Sequence, residues 1–341
     1  GLLRSENVTV LVRERMAQAA LWAMNMRQTL AGDMPQIAIG KHCHSPFSCP
    51  FATHCSEGIA QPDYPTASLP HGGKVVAQLL DEGYEDIREI PDGRLENHKQ
   101  LRVWRAVLSG GVELDHDLAQ RLSTLAYPRS YLDFETIQFA VPIWAGTRPY
   151  EQLLFQWSCH REIAAGAEAQ HADFLDSTGG SPMQAAAEAL IAALGENGPI
   201  VVYGHFESMI ISKLAARFPD LAPALLALRE RLVDLLPLAR RHYYHPAMAC
   251  SWSLKSVLPT IAPELGYDAL EVRDGNMAQQ AYLELIDAKT TMAQRARLKA
   301  GLLEYCERDT LALVRVVQFF AANGASTSNC TNAVMCGGLS T

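Results

Sequence analysis

The stretch that decides the fold is Ser130–Thr136, which reads Ser-Tyr-Leu-Asp-Phe-Glu-Thr. Its apolar and aromatic residues predict a short strand. Side chains alternate across a strand, so Asp133 and Glu135, two residues apart, point the same way. Two carboxylates on one face are costly to desolvate unless a positive group joins them, and Mg²⁺ prefers carboxylate oxygens. The stretch therefore indicates a metal site at the end of a strand.

From Pro128 onward, strand-like apolar segments alternate with helix-like ones. Further strands are predicted at Gln152–His160, Glu162–Phe174 and Pro199–Gly204. This alternation favours an α/β fold. The helices predicted in this part of the chain are Pro182–Leu194, Glu207–Arg217, Leu221–Arg241, Ser253–Leu258, Asn276–Ile286 and Met292–Ala322.

Two more acids extend the pattern. Glu207 follows a strand and opens a helix, where α/β folds carry functional side chains; the alternative is a helix cap, since acids favour helix N-termini. Tyr305 and Asp309 are four residues apart and share one helix face; the alternative is a buried tyrosine beside a surface aspartate. With the first two carboxylates, these acids supply four ligands from three elements, which suits two divalent ions about 3.5–4 Å apart.

In this order the motifs resemble the DEDD superfamily of proofreading-type 3′–5′ exonucleases, in its tyrosine-containing subclass. The resemblance implies an RNase H-like α/β fold, with a mixed sheet flanked by helices, and hydrolysis of single-stranded DNA or RNA ends with two Mg²⁺ or Mn²⁺ ions. Glu207 departs from the family pattern, which has Asp there, and this leaves metal affinity and rate open. Asp234 is interpreted as a helix N-cap rather than a catalytic group. The implied catalytic residues are Asp133, Glu135, Glu207, Tyr305 and Asp309, with the four acids as metal ligands and Tyr305 positioning the water.

A narrower resemblance is to an uncharacterised bacterial family, domain-of-unknown-function family 2779. Its members resemble a RecB-like nuclease segment with a cysteine cluster, joined to this exonuclease domain. The resemblance runs through most of the chain to about residue 320. The stretches that carry it are Ile39–Cys43, Cys49–Phe51, Tyr131–Thr136, Gly146–Gln152 and Tyr305–Thr310.

We expect four segments along the chain. Residues 1–60 form a partial RecB-like, mainly helical segment with the cysteine cluster, including a helix at Val8–Leu30 predicted by helical spacing of apolar residues. Residues 61–127 form a helical linker, in which Leu69–Leu80 resembles half of a helix-hairpin-helix or a plain helix-turn-helix packing element. Residues 128–322 form the RNase H-like domain. Residues 323–341 are rich in Ser, Thr, Asn and Gly and predict a disordered tail.

Three cysteines, Cys43, Cys49 and Cys55, lie close together in sequence. They are candidate ligands of Zn²⁺ or of an iron–sulfur cluster, both of which take four ligands; the alternative is three reduced cysteines in a loop. Because the chain starts at Gly1, we expect a fragment or a processed start, with a fourth ligand upstream. For zinc, the fourth ligand is otherwise one of the histidines His42, His44 and His54.

Charge and hydropathy limit the partners and the cellular location that the sequence predicts. The net charge of −8 counts weakly against a high-affinity nucleic-acid binder, although a local basic strip is expected from Arg229, Arg231, Arg240, Arg241 and Lys255. No apolar run is long enough for a membrane span, and no secretion signal opens the chain. We therefore expect a cytoplasmic protein without a membrane partner.

Three further residues are candidates for substrate binding. Arg148 and Tyr150, between the first two strands, suit a phosphate and a stacked base; a hairpin loop with a surface arginine is the alternative. His205 lies beside Glu207, where it contacts substrate or simply packs. Two other functions stay open on this fold: a non-catalytic module that binds nucleic acid or protein, and a nucleotide phosphodiesterase.

Overall fold

The computed structural model describes residues 6–37, 39–43, 47, 49–58, 62–115 and 117–323. The chain divides into two compact units, Gly1–Gln61 and Pro62–Thr341. In the first unit, the long helix α1 (Thr9–Ala31) confirms the predicted Val8–Leu30 helix, and the short helix α2 (Ala52–Ser56) follows. Within the described residues, no helix combines the length and apolar character needed to cross a membrane. The predicted disordered tail lies outside the described residues beyond 323.

The second unit opens with short helices. These are α3 (Gly73–Asp81), α4 (His98–Ser109) and α5 (Asp117–Ser123), with the two-residue strand β1 (Glu113–Leu114) between the last two. Local chemistry fixes the ends of α4: the Asn97 side chain accepts a hydrogen bond from the Lys99 amide, and Gly110 ends the helix at φ +62°. Strand β1 pairs antiparallel with β7 (Tyr243–Tyr244), much later in the chain. This pairing ties the region before residue 128 to the larger domain.

The larger domain is built on a mixed five-stranded sheet. Its strands are β2 (Arg129–Ile137), β3 (Leu153–Glu162), β4 (Gln170–Leu175), β5 (Ile200–Val202) and β6 (Leu232–Asp234), in the order β4-β3-β2-β5-β6. Strands β2, β3 and β4 pair antiparallel, while β5 and β6 are added in parallel. The sheet confirms the predicted α/β class with a mixed sheet and helices around it.

Two sequence predictions need correction. The single helix predicted over Leu221–Arg241 is wrong, because α8 (Ala222–Glu230) and α9 (Leu235–His242) are separated by strand β6. Leucine spacing continues through this region and hides the break, yet Leu232-Val-Asp pairs in parallel with β5. The strand predicted within Glu162–Phe174 also differs: β3 continues to Glu162, and β4 begins only at Gln170.

Helices cover both faces of the sheet. They include α6 (Met183–Leu194), α7 (Phe206–Arg217), α11 (Gly275–Ile286) and α12 (Met292–Asn323), while the one-turn helix α10 (Leu254–Val257) lies in the connection before α11. Neighbouring side chains on β3 identify the faces: the Trp157 indole donates to the Ala186 carbonyl in α6, while the Gln156 amide donates to the Leu302 carbonyl in α12. Adjacent strand residues point to opposite faces. Helices α6 and α12 therefore enclose the sheet, and its strands β2 and β3 are buried on both sides.

Candidate metal centre and its cleft

The two carboxylates of β2 face helix α12. In the strand register, Asp133 lies opposite Ser158 and Glu135 lies opposite Gln156. Ser158 Oγ is 2.8 Å from Thr310 Oγ1 of α12, so this face of β3 is the α12 face. Strand periodicity places both acids there as well, as the sequence predicted.

Helix α12 adds a third acid to the same place. Oxygens of Asp133, Glu135 and Asp309 lie within 4.8 Å of one another. Tyr305, one helical turn before Asp309, is 4% exposed, and both side chains line the same cleft. The structure thus brings four of the five predicted catalytic residues together.

Glu207, the fifth, is buried in the first turn of α7. It is not one of the three acids within 4.8 Å of one another, but its charge acts on both Asp133 and Glu135 and raises their pKa values. Its Oε2 atom is buried and has no hydrogen-bond partner among the described residues. A buried unpaired carboxylate oxygen is costly.

The loop that carries Glu207 is held by a neighbouring strand. Asp234, at the end of β6, accepts a hydrogen bond from the Gly204 amide at 2.7 Å and another from the Leu236 amide at 2.9 Å. The second bond makes Asp234 the N-cap of α9, as predicted. Gly204 has φ +112°, a conformation that favours glycine. One aspartate therefore fixes both the loop before Glu207 and the helix after β6.

Burial and mutual repulsion raise the pKa values of the acids. Burial, with the charge of Asp309 as the next cause, raises the pKa of Glu135 to about 8 and that of Asp133 well above its ordinary value. Burial alone accounts for most of the rise in the pKa of Glu207 to about 7 and of Asp309 to about 6. Three carboxylates this close together, with the charge of Glu207 acting on two of them, favour protonation or a shared cation.

This donor set fits divalent cations with a preference for oxygen. Carboxylate oxygens are the ligands that Mg²⁺ and Mn²⁺ take. Asp133, Glu135 and Asp309 would hold an ion between them, and the unpaired oxygen of Glu207 is a further donor nearby.

Three residues that sequence reasoning did not place at the acids complete the surroundings; only Lys255 among them was predicted to have a role, as part of the basic strip. The Tyr267 hydroxyl donates to Asp309 Oδ1 at 2.5 Å and works against the rise in the pKa of that acid. Lys255 Nζ is 3.2 Å from the Tyr305 hydroxyl. Cys306 Sγ is 3.7 Å from Asp133 Oδ2. Tyr267 lies in an irregular segment without periodicity, so no sequence pattern could have placed it here.

A cleft of about 920 Å³ opens over these acids. Besides Asp133, Glu135, Tyr305 and Asp309, its walls carry both aromatic and basic side chains. These are Tyr203 and Trp252 together with His71, Lys99, Arg240 and Lys255. The predicted basic strip is only partly assembled here, since Arg231 instead donates to the main-chain carbonyls of Gly195 and Gly198.

The predicted substrate-binding residues lie elsewhere on the surface. Arg148, Tyr150 and His205 are exposed and do not line the cleft. The Arg148 amide donates to the Glu151 carboxylate, and Tyr150 is 70% exposed. Their contact with substrate stays a prediction.

The three cysteines of the predicted cluster do not form a metal site comparable to that of the acids among the described residues. Cys43 is buried, Cys49 half-buried and Cys55 exposed. Within the part of the chain that the structure describes, they do not bring three ligand atoms within 4.8 Å of one another. His44 lies outside the described residues, and His54 Nε2 is 3.3 Å from the sulfur of Met34. Zinc or an iron–sulfur cluster at this segment stays a prediction.

Residues 130–253 match the model of a family described as a domain of unknown function (DUF2779). The match covers less than half of the chain. It includes Asp133, Glu135 and Glu207 but ends before Tyr305 and Asp309. No curated protein and no solved structure matches the chain. The match supports the narrower of the two resemblances over these residues and carries no activity with it.

Proposed function

We propose that the protein is a metal-dependent 3′–5′ exonuclease with an RNase H-like domain, which hydrolyses phosphodiester bonds of single-stranded DNA or RNA. The observation that carries the proposal is the convergence of Asp133, Glu135 and Asp309 within 4.8 Å, with Tyr305 on the same cleft. These residues come from elements far apart in sequence, in the order that the exonuclease motifs require. The mixed sheet agrees with the fold that this resemblance implies.

The acids would bind divalent cations, and this binding is the basis of the proposed activity. When bound, Mg²⁺ or Mn²⁺ ions would supply Lewis-acid stabilisation to the attacking and leaving oxygens of an in-line displacement at phosphorus. The protein would supply the four carboxylates that hold the ions and a cleft that admits the diester.

Tyr305 is the residue that would orient the attacking water. Burial, followed by the charge of Asp309, raises the pKa of its hydroxyl far above the ordinary value, so the hydroxyl keeps its proton. Lys255 Nζ donates to the phenolic oxygen at 3.2 Å and also to the Arg273 carbonyl at 2.6 Å. The Tyr305 hydroxyl also hydrogen-bonds to Asp309 and opposes the rise in the pKa of that acid, so it would orient the water from a position fixed beside the acids.

The test is cleavage of 5′-labelled single-stranded DNA and RNA with Mg²⁺ or Mn²⁺, comparing the wild type with Asp133→Ala. We expect a metal-dependent ladder of products shortened from the 3′ end, and at least a 100-fold loss of rate in the variant, roughly the scale seen when electrostatic transition-state stabilisation is removed. Exposed Asp268→Asn is the matched control and should cleave as the wild type does. Unchanged cleavage by Asp133→Ala would mean that the assigned site is wrong. Cleavage of a nucleotide ester but of neither polymer would favour the phosphodiesterase alternative.

A further inference from the structure

A second cleft, of about 640 Å³, lies beside the candidate metal cleft. The two clefts share Lys99 of α4 and Arg240 of α9 as lining residues. The second cleft therefore leads away from the acids, between a helix that precedes the sheet domain and a helix within it. Its lining residues are His98, Lys99, Arg102, Asp115, Pro237, Arg240 and Arg241.

The charge of this second cleft is strongly positive. It has four cationic side chains and one acid, although the whole chain has a net charge of −8. The acid, Asp115, already has a partner, because its Oδ2 is 3.1 Å from His242 Nδ1. A basic concentration in an acidic protein marks a local surface for an anionic partner.

Most cations of this cleft have no side-chain partner among the described residues; the exception is Lys99, whose Nζ is 3.0 Å from His71 Nε2. None of Lys99, Arg102, Arg240 and Arg241 forms a salt bridge with a described residue. Arg102 Nη1 is buried and has no hydrogen-bond partner among the described residues. An unpaired buried donor is costly, and a bound anion would remove that cost.

We propose that the two clefts form one phosphate track: the metal cleft holds the scissile bond, and the second cleft binds the upstream phosphates of single-stranded nucleic acid. This inference rests on the proposed function. Lys99 and Arg240 lie at the junction, and Arg102 and Arg241 bind phosphates farther along the strand. Each nucleotide carries one phosphate charge, and guanidinium groups bind phosphate oxygens bidentately.

The test is the affinity for labelled single strands of increasing length, measured by fluorescence anisotropy at several salt concentrations. An Asp133→Asn background prevents cleavage during the measurement. Arg241→Glu should weaken binding of a 12-nucleotide strand by about tenfold and reduce the salt dependence by about one phosphate contact. Binding of a 3-nucleotide strand should weaken less. Arg241→Gln should give the same pattern with a smaller loss, and thermal unfolding checks that both variants fold.

The control is Arg315→Glu, which removes an exposed arginine of α12 that lines neither cleft. It should bind strands of every length as the parent does.

If Arg241→Glu keeps the parent's affinity, length dependence and salt dependence, the track is wrong. If the wild type cleaves no polymer but Arg241→Glu still loses length-dependent binding, the proposed activity fails while the track stands. If cleavage is normal and length dependence is unaffected by Arg241→Glu, the activity stands and the track fails.

Discussion

Asp133 is crowded by the charges of the neighbouring acids. It is confined with Glu135 and Asp309, and their charges raise its pKa. We expect Asp133→Asn to raise the free energy of unfolding of the metal-free protein by about 1–2 kcal/mol at pH 8, because a buried like-charge repulsion is removed. The gain should shrink as the pH falls towards 4, where the folded state binds the proton and the unfolded state begins to do so.

Urea unfolding in EDTA at the two pH values measures this effect. Asp268→Asn, which replaces an exposed aspartate outside the cleft, serves as the control and should change stability little at either pH. A loss of stability in Asp133→Asn at pH 8 would show that the carboxylate's favourable contacts, such as that with Cys306 Sγ, outweigh the repulsion from the other acids.

Two tyrosines beside Asp309 should have separable effects. Tyr267→Phe removes the hydrogen bond to Asp309 Oδ1, so the pKa of Asp309 should rise above about 6 and protons should compete with Mn²⁺ up to a higher pH. We expect Mn²⁺ affinity near pH 6.5 to fall by about tenfold, the scale of outer contacts to metal ligands. Tyr305→Phe should slow turnover and lower Mn²⁺ affinity less than Tyr267→Phe does, because its hydrogen bond opposes the rise in the pKa of Asp309 less than that of Tyr267 does.

Calorimetric Mn²⁺ titration and single-turnover cleavage together distinguish the two variants. Equal Mn²⁺ affinity in Tyr267→Phe and the wild type at pH 6.5 would contradict the role of Tyr267. Unchanged turnover in Tyr305→Phe would contradict water positioning by Tyr305.

Periodicity explains which of these residues the sequence could predict. A spacing of two on a strand placed Asp133 and Glu135 on one face, and a spacing of four on a helix paired Tyr305 with Asp309. Tyr267 and Lys255 reach the site through irregular or short elements, so tertiary packing alone brings them there. Glu207 was predicted as a ligand or a cap, and the structure buries it near the other acids without adding it to their group.

Among the secondary-structure elements, the end of β6 holds the loop that precedes α7. Asp234 accepts hydrogen bonds from the Gly204 and Leu236 amides. We expect Asp234→Ala to lower the free energy of unfolding by about 1–2 kcal/mol through loss of the cap and of the loop contact. Cleavage should also slow, because Glu207 follows this loop.

Asp234→Asn is the matched variant, since its amide oxygen still accepts both hydrogen bonds. It should recover most of the stability and the rate. A similar loss in both variants would mean that the negative charge of Asp234, rather than its hydrogen bonds, has the main effect.

Strand β6 was also the element that the sequence concealed. Its three residues interrupt leucine-rich helices on both sides, so helical spacing predicted one helix through it. The helix is interrupted because this segment pairs in parallel with β5. Arg231 also donates to the Gly195 and Gly198 carbonyls. Such contacts lie far apart in sequence, whereas longer elements such as α12 were predicted almost to their ends.

For the whole molecule, the acids should make stability depend on pH. The pKa of Glu135 is raised from 4.5 to about 8, that of Glu207 to about 7 and that of Asp309 to about 6. A raised pKa means that the folded state binds more protons than the unfolded state, so stability falls as the pH increases through this range. The metal-free protein should therefore lose stability between about pH 4 and pH 8.

Thermal unfolding in EDTA and in Mn²⁺ across this range measures the dependence. Saturating Mn²⁺ should reduce the fall, because the bound cation offsets the repulsion and binds only the folded site. A metal-free melting temperature that rises from pH 5 to pH 8 would contradict the assigned environment of the acids.

The most direct test of the account is the stoichiometry of Mn²⁺ binding at the acids, measured by calorimetry at pH 7.5 for the wild type and for Asp309→Asn. We predict that the wild type binds two ions per chain at this site and that the variant loses at least one of them. Any ion bound by the cysteine segment is separated by repeating the titration with a Cys43→Ser variant. If the wild type and Asp309→Asn bind Mn²⁺ equally, or if neither binds it, the acids are not a metal centre and the proposed hydrolysis has no chemical basis.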